Sequence, residues 1–131
     1  MIDKKRILLI DDEKDFCFFV KNNLKASEGF AVNCANDPDK GIRLARRQHP
    51  DLILLDIKMP KKDGFEVLSI LKNDTKTLSI PVIMLTAIDD ESARIKAARL
   101  YDEDYIAKPV DHALLKRAIK KVLTRYKNFK A

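Results

Sequence analysis

Four short apolar runs stand out along the chain, and each stops at a polar residue of a particular kind. Ile7, Leu8, Leu9 and Ile10 stop at Asp11 and Asp12, and Leu52, Ile53, Leu54 and Leu55 stop at Asp56. Val82, Ile83, Met84 and Leu85 stop at Thr86, and Tyr105, Ile106 and Ala107 stop at Lys108 and Pro109. Runs of this length, bounded by turn formers, predict strands at about 6–10, 52–56, 80–86 and 104–107, with a further strand at 30–35. Between them the apolar spacing becomes helical. A helix at about 13–27 carries Phe16, Phe19, Val20 and Leu24 on one face, and Glu28 and Gly29 stop it. Asn36 or Asp37 caps a second helix whose first turn suits Pro38, and it ends near Gln48, ahead of Pro50. A third, at about 64–73, shows Phe65, Leu68 and Leu71. A fourth opens on Asp89, Asp90 and Glu91, acids placed where the helix dipole favours them. Asp111 opens the last, with Leu115, Ala118, Ile119, Val122 and Tyr126 inward and 127–131 as a short basic tail.

Strict alternation of strand and helix predicts βαβ units and a parallel sheet. The run at 52–56 is apolar on both faces, which makes it central. With right-handed crossovers, strand order 2-1-3-4-5 covers both faces and sets a switch point between strands one and three. Asp11, Asp12 and Asp56 then come from adjacent strands, and Thr86 and Lys108 from the next two. All five gather at the carboxyl edge, where open α/β sheets bind ligands.

Carboxylates a few ångströms apart repel unless one keeps a proton or a cation neutralises them. Oxygen-only ligands favour a hard cation, and Mg²⁺ commonly takes one or two carboxylates, waters and a phosphoryl oxygen. A carboxylate beside such a cation can act as a nucleophile and form an acyl phosphate. An ammonium and a hydroxyl can stabilise the equatorial oxygens of the transferred group. Taken singly, Asp11 and Asp12 read as a cap and a first-turn charge, Thr86 as a strand residue and Lys108 as a surface lysine. Four strand ends with matching chemistry favour the joint reading.

Composition narrows the setting. The 131 residues are 46% hydrophobic and 35% charged, a globular balance in a length typical of one domain. No apolar stretch reaches the roughly 20 residues of a membrane span, and the first run is too short for a secretory signal, so the expected location is cytoplasmic. Cys17 and Cys34 form no close-spaced motif and read as reduced thiols, and His49 and His112 read as surface residues near helix ends. The net charge of +6 is concentrated in the last segment. From Lys108 onward eight basic residues face one acid, Asp111, and the rest of the chain sums to about −1. That is a solvated helix face or a docking face for an acidic partner. No base-reading motif accompanies it, so direct DNA binding is not expected.

The chain resembles the receiver domain of two-component response regulators. The resemblance rests on Asp11, Asp12 and Glu13; on Asp56, Ile57, Lys58, Met59 and Pro60 followed by Asp63 and Gly64; on 81–87, which ends in Thr86 and Ala87; and on Tyr105, Ile106, Ala107, Lys108 and Pro109. The motifs stand in order and at family spacing over essentially the whole chain. The resemblance implies an α/β, flavodoxin-like (βα)5 doubly wound fold and one receiver domain over 1–131. It implies Asp56 as phospho-acceptor and Mg²⁺, for which Mn²⁺ can substitute. The Mg²⁺ would be held by Asp12 and Asp56, by Asp11 through water and by the backbone carbonyl of Lys58. Lys108 would pair with the phosphoryl group, Thr86 would hydrogen-bond it, and the peptide before Pro109 would be cis. Tyr105 would be the switch aromatic, turning inward as Thr86 moves and changing the face of the fourth helix, fifth strand and final helix. The phosphodonor would be a sensor histidine kinase or a histidine phosphotransfer protein, and the only catalysis would be self-catalysed phosphotransfer and dephosphorylation.

The chain departs from the family at several positions. Tyr101 and Asp102 stand where many members have Gly-Ala. Lys58 and Ile88 occupy positions that tune acyl-phosphate lifetime, and Ala118 replaces an arginine that winged-helix transcription factors use at an interface. Other classes fit less well. A metal-dependent phosphatase with an Asp nucleophile should show Asp-x-Asp after its first strand, and a flavin protein a phosphate-cradling loop that is not acidic. A receiver that works without phosphorylation would lack some of the five site residues. For output, a stand-alone receiver of chemotaxis or phosphorelay type is expected, with a domain excised from a larger regulator as the alternative.

Overall fold

The structure is a computed structural model that describes residues 4–26, 29–87 and 104–130. The helix expected to open at Asp89, the tuning position Ile88 and the junction at Tyr101 and Asp102 lie outside these residues, as do the side chains of Ala87 and Tyr126. The described elements are β1 (Lys5–Ile10), α1 (Lys14–Ala26), β2 (Phe30–Ala35), α2 (Pro38–Gln48), β3 (Leu52–Asp56), α3 (Gly64–Lys72), β4 (Val82–Ala87), β5 (Asp104–Lys108) and a C-terminal helix (His112–Lys130). The strands form one parallel sheet in the order β2-β1-β3-β4-β5, as the alternation predicts.

The sheet is covered on both faces. On one, α2 and α3 bring Ile42, Ala45, Val67, Leu68 and Leu71 against Leu8, Ile10, Ile53, Leu55 and Met84. On the other, α1 and the C-terminal helix bring Val20, Leu24, Leu115, Ile119 and Val122 against Leu9, Leu54, Ile83 and Leu85. Alternate strand residues feed the two cores, as the period of two requires. Every residue of β3 is buried, which makes it the centre of the sheet.

Caps fix the helix starts. Asp37, not Asn36, caps α2 by accepting from the Lys40 N–H, with Pro38 following at the first turn. His49 ends that helix in the left-handed region and donates its N–H to the Ala45 carbonyl. Asp63 caps α3 through the Glu66 N–H, and Asp111 accepts from the N–H groups of Ala113 and Leu114 at the start of the C-terminal helix.

Three expectations need correction. Phe19 does not lie in the buried stripe of α1; it is 62% exposed, and the stripe is Cys17, Val20 and Leu24 with Phe16 at its shoulder. The tail expected over 127–131 is helical as far as Lys130, because no Gly or Pro follows Asp111 to break the pattern. β4 begins at Val82, not at residue 80, because Pro81 has no N–H to give to a ladder.

Candidate phosphoryl site at the carboxyl edge

Register brings the acids together. Ile10 pairs with Leu55, so the next residues on the two strands, Asp11 and Asp56, stand side by side. One carboxylate oxygen from each of Asp11, Asp12 and Asp56 lies within 4.8 Å of the other two. Asp11 is fully buried and Asp56 nearly so. Asp11 is fixed from several sides: its N–H donates to the Ala35 carbonyl, its Oδ1 accepts from the Glu13 N–H, and its own carbonyl accepts from Asn36 Nδ2 at 2.9 Å. Three oxygen donors so close together suit a hard divalent cation such as Mg²⁺.

Lys108 reaches into this cluster from β5. Its Nζ lies 2.7 Å from Asp11 Oδ2, 3.1 Å from Glu13 Oε1 and 3.4 Å from Asp56 Oδ1. Its peptide to Pro109 is cis, as the family resemblance implies. Burial is the largest influence on the ammonium and disfavours its charge, but the surrounding carboxylates outweigh it and raise the Lys108 pKa. One ammonium does not neutralise the cluster. Burial pushes the Asp56 carboxyl up to about 7, with the Asp11 charge adding to it and Lys108 opposing. Burial also raises Asp11, against its bond to Lys108.

Beside the cluster opens a cavity of about 670 Å³ whose lining includes Asp56, Lys58, Thr86, Lys108, Phe19 and His112. Thr86 is buried at the end of β4 and Lys58 is exposed in the loop after β3. Five sequence-predicted residues thus meet at one sheet edge, Asp11, Asp12, Asp56, Thr86 and Lys108, with Lys58 at the rim. Tyr105 stands apart from the cavity lining, 37% exposed on the edge strand three residues before Lys108.

Some neighbours were not legible as site residues. Glu13 and Phe16 both touch Lys108, the Phe16 ring centroid lying 4.2 Å from Nζ. His112 is only half exposed, not a free surface residue. Its ring stacks on Phe19 with centroids 5.9 Å apart, and its buried Nδ1 has no hydrogen-bond partner among the described residues. Cys17 and Cys34 are free thiols that the fold brings close, with Cys34 Sγ 3.7 Å from the Cys17 carbonyl oxygen.

An open five-stranded parallel sheet with an acidic cluster and a lysine at its carboxyl edge defines the class of α/β signalling receivers. The chain belongs to one family within it: the model of the response regulator receiver domain matches residues 7–120. It is 37% identical over 124 residues to "Probable transcriptional regulator ycf27" of Porphyridium aerugineum, covering 95% of this chain and 50% of that protein. It is 36% identical over 121 residues to the alkaline phosphatase synthesis transcriptional regulatory protein PhoP of Bacillus subtilis, covering 92% of this chain and 49% of that one. The chain therefore spans about half the length of these curated relatives. Among solved structures, a response regulator receiver domain protein from Clostridium thermocellum superposes with a TM-score of 0.87 at 31% identity, covering 95% of this chain and 98% of that one. The chain is thus a receiver domain of two-component signalling. No helix among the described residues is long and apolar enough to cross a membrane.

Proposed function

We propose that this receiver takes one phosphoryl group onto Asp56 from a sensor histidine kinase or a histidine phosphotransfer protein, and that the acyl phosphate switches a face presented to an output partner. The supporting observation is the placement of Lys108 Nζ 3.4 Å from Asp56 Oδ1, inside a cluster where three carboxylates converge. Asp12 and Asp56 would hold Mg²⁺, with Asp11 acting through water and the Lys58 carbonyl completing the protein ligands; Mn²⁺ suits the same donors. The bound cation supplies charge neutralisation, which frees Asp56 to react as a carboxylate and offsets charge on the incoming group. The Asp56 oxygen attacks phosphorus, and the donor's imidazole nitrogen leaves. Lys108 pairs with the transferred group, and the Thr86 hydroxyl donates to it. Phe19 and the His112 ring stacked on it line the mouth of the same cavity, where a docked donor would cover them.

The switch would run from Thr86 to Tyr105 and outward through β5 and the C-terminal helix. Arg117, Lys120, Lys121 and Arg125 are exposed on that helix, which fits an acidic output partner and a cytoplasmic setting. A stand-alone chemotaxis-type or phosphorelay receiver uses such protein contacts without touching DNA. The length of the relatives favours a second reading, in which this receiver is one part of a longer regulator. A transcript sequence that shows the native stop codon decides between them.

Intact-mass measurement after incubation with acetyl phosphate tests the acceptor. One added phosphoryl group is expected with Mg²⁺, none with chelator and none in Asp56→Asn. Full labelling of Asp56→Asn overturns the assignment.

A further inference from the structure

We infer that Phe16 is a positioning residue for phosphotransfer, holding the Lys108 ammonium over Asp56 by a cation–π contact; this rests on the reading in which Lys108 pairs with the phosphoryl group. Phe16 lies near the start of α1, one turn past Glu13, half-buried at the shoulder of the apolar stripe. Its ring centroid is 4.2 Å from Lys108 Nζ, within the range in which a ring face attracts a cation.

Among the described residues, the other partners of that ammonium are carboxylates: Asp11 Oδ2 at 2.7 Å, Glu13 Oε1 at 3.1 Å and Asp56 Oδ1 at 3.4 Å. Two of them change during the reaction. Phosphorylation turns the Asp56 carboxylate into an acyl phosphate and moves the negative charge onto the phosphoryl oxygens, and a divalent cation at the cluster would compete with Lys108 for Asp11 and Asp56. Glu13 is mostly exposed, so water and salt weaken its pull. The Phe16 ring neither coordinates a metal nor accepts a phosphoryl group, and its attraction for the ammonium is the same before and after transfer. It therefore keeps Nζ at the site while the charges around it rearrange. A leucine at this position would fill much of the same space and supply the same apolar shoulder, but it has no ring quadrupole.

The test compares Phe16→Leu with Phe16→Tyr, both shown to be folded by circular dichroism. Acetyl phosphate with Mg²⁺ serves as donor, so that protein docking plays no part. Phe16→Leu is expected to label about two- to thirtyfold more slowly than the parent, and Phe16→Tyr at close to the parental rate. A second readout is independent of phosphorylation. In the parent, the Lys108 ε-methylene protons resonate upfield through the ring current, and Phe16→Leu removes that shift while Phe16→Tyr keeps it. Parental labelling by Phe16→Leu, equal slowing in both variants, or an unshifted Lys108 resonance in the parent overturns the inference. Failure of the parent itself to label indicts the acceptor assignment instead, and the ring-current shift still reports on Phe16.

Discussion

Gly64 lies directly against the main chain of Asp56: a β-carbon at Gly64 would stand 2.4 Å from the Asp56 carbonyl oxygen and 2.7 Å from Ile57 Cα. The Gly64 N–H also donates to the Ile57 carbonyl at 2.7 Å. Both neighbours are backbone, so neither can swing aside. Gly64→Ala must push α3 away from the end of β3 or displace Asp56 itself. A loss of about 1–3 kcal/mol in urea unfolding is expected, together with slower labelling by acetyl phosphate. Unchanged stability and rate would show that the loop absorbs the methyl group.

Stability should depend on pH through Asp56. Its carboxyl titrates near 3.9 in an unfolded chain but is raised to about 7 in the native state, by burial first and the Asp11 charge second. Between those values the native state holds a proton that the unfolded state has lost, so this group's contribution makes stability fall as pH rises. Below about pH 4 the penalty is absent, and above about pH 7 it is complete, at roughly a few kcal/mol. Asp56→Asn removes it. In Mg²⁺-free buffer that variant should unfold at higher urea than the parent at pH 8, and the gap should close toward pH 4. Parallel profiles for the two proteins would contradict the raised acid.

Lys108→Ala takes away the cation that Asp11 and Asp56 share. Asp11 is fully buried, and losing the partner of a buried charge costs about 3–5 kcal/mol. Proton uptake by Asp11 and Asp56 limits the loss at low pH, so it should be largest in alkaline buffer. Mg²⁺ should restore more stability to Lys108→Ala than to the parent, since the competing ammonium is gone. Thermal melts over a Mg²⁺ titration check this; an identical Mg²⁺ increment in both proteins counts against a shared site.

Thr86 and Tyr105 should both change side-chain rotamer when beryllofluoride and Mg²⁺ mimic the phosphorylated state. Methyl and aromatic NMR of the two residues reads this directly. If neither moves, the outward signal takes another route, while the acceptor assignment stands.

Most of the sheet edge was legible in the sequence because each of the four strands that end at the site carries a run of consecutive apolar residues with a hard stop. Asp11, Asp56, Thr86 and Lys108 mark those stops, and a parallel sheet aligns them. α1 was harder to read. Phe16, Phe18 and Phe19 offer two competing helical stripes, and burial of Cys17 rather than Phe19 chose between them. The contact of Phe16 with Lys108 and the approach of Cys34 to Cys17 join distant parts of the chain. Periodicity reports which face a residue occupies, not which side chain from another element meets it there.

Burial across the sheet is uneven, and this bears on amide hydrogen exchange. β3 is buried throughout, while β5 at the edge is intermediate or exposed at every position. Amides of β3 should exchange only with global unfolding, and those of β5 through local opening of lower free energy. On that expectation Asp56 is mounted on the strand that should open last, and Lys108 on one that should open earlier. The carboxylate would then keep its position while the ammonium opposite it is sampled, and the population of closed β5 would scale the fraction of molecules ready to react. A partner that clamps β5 would raise that fraction without touching Asp56.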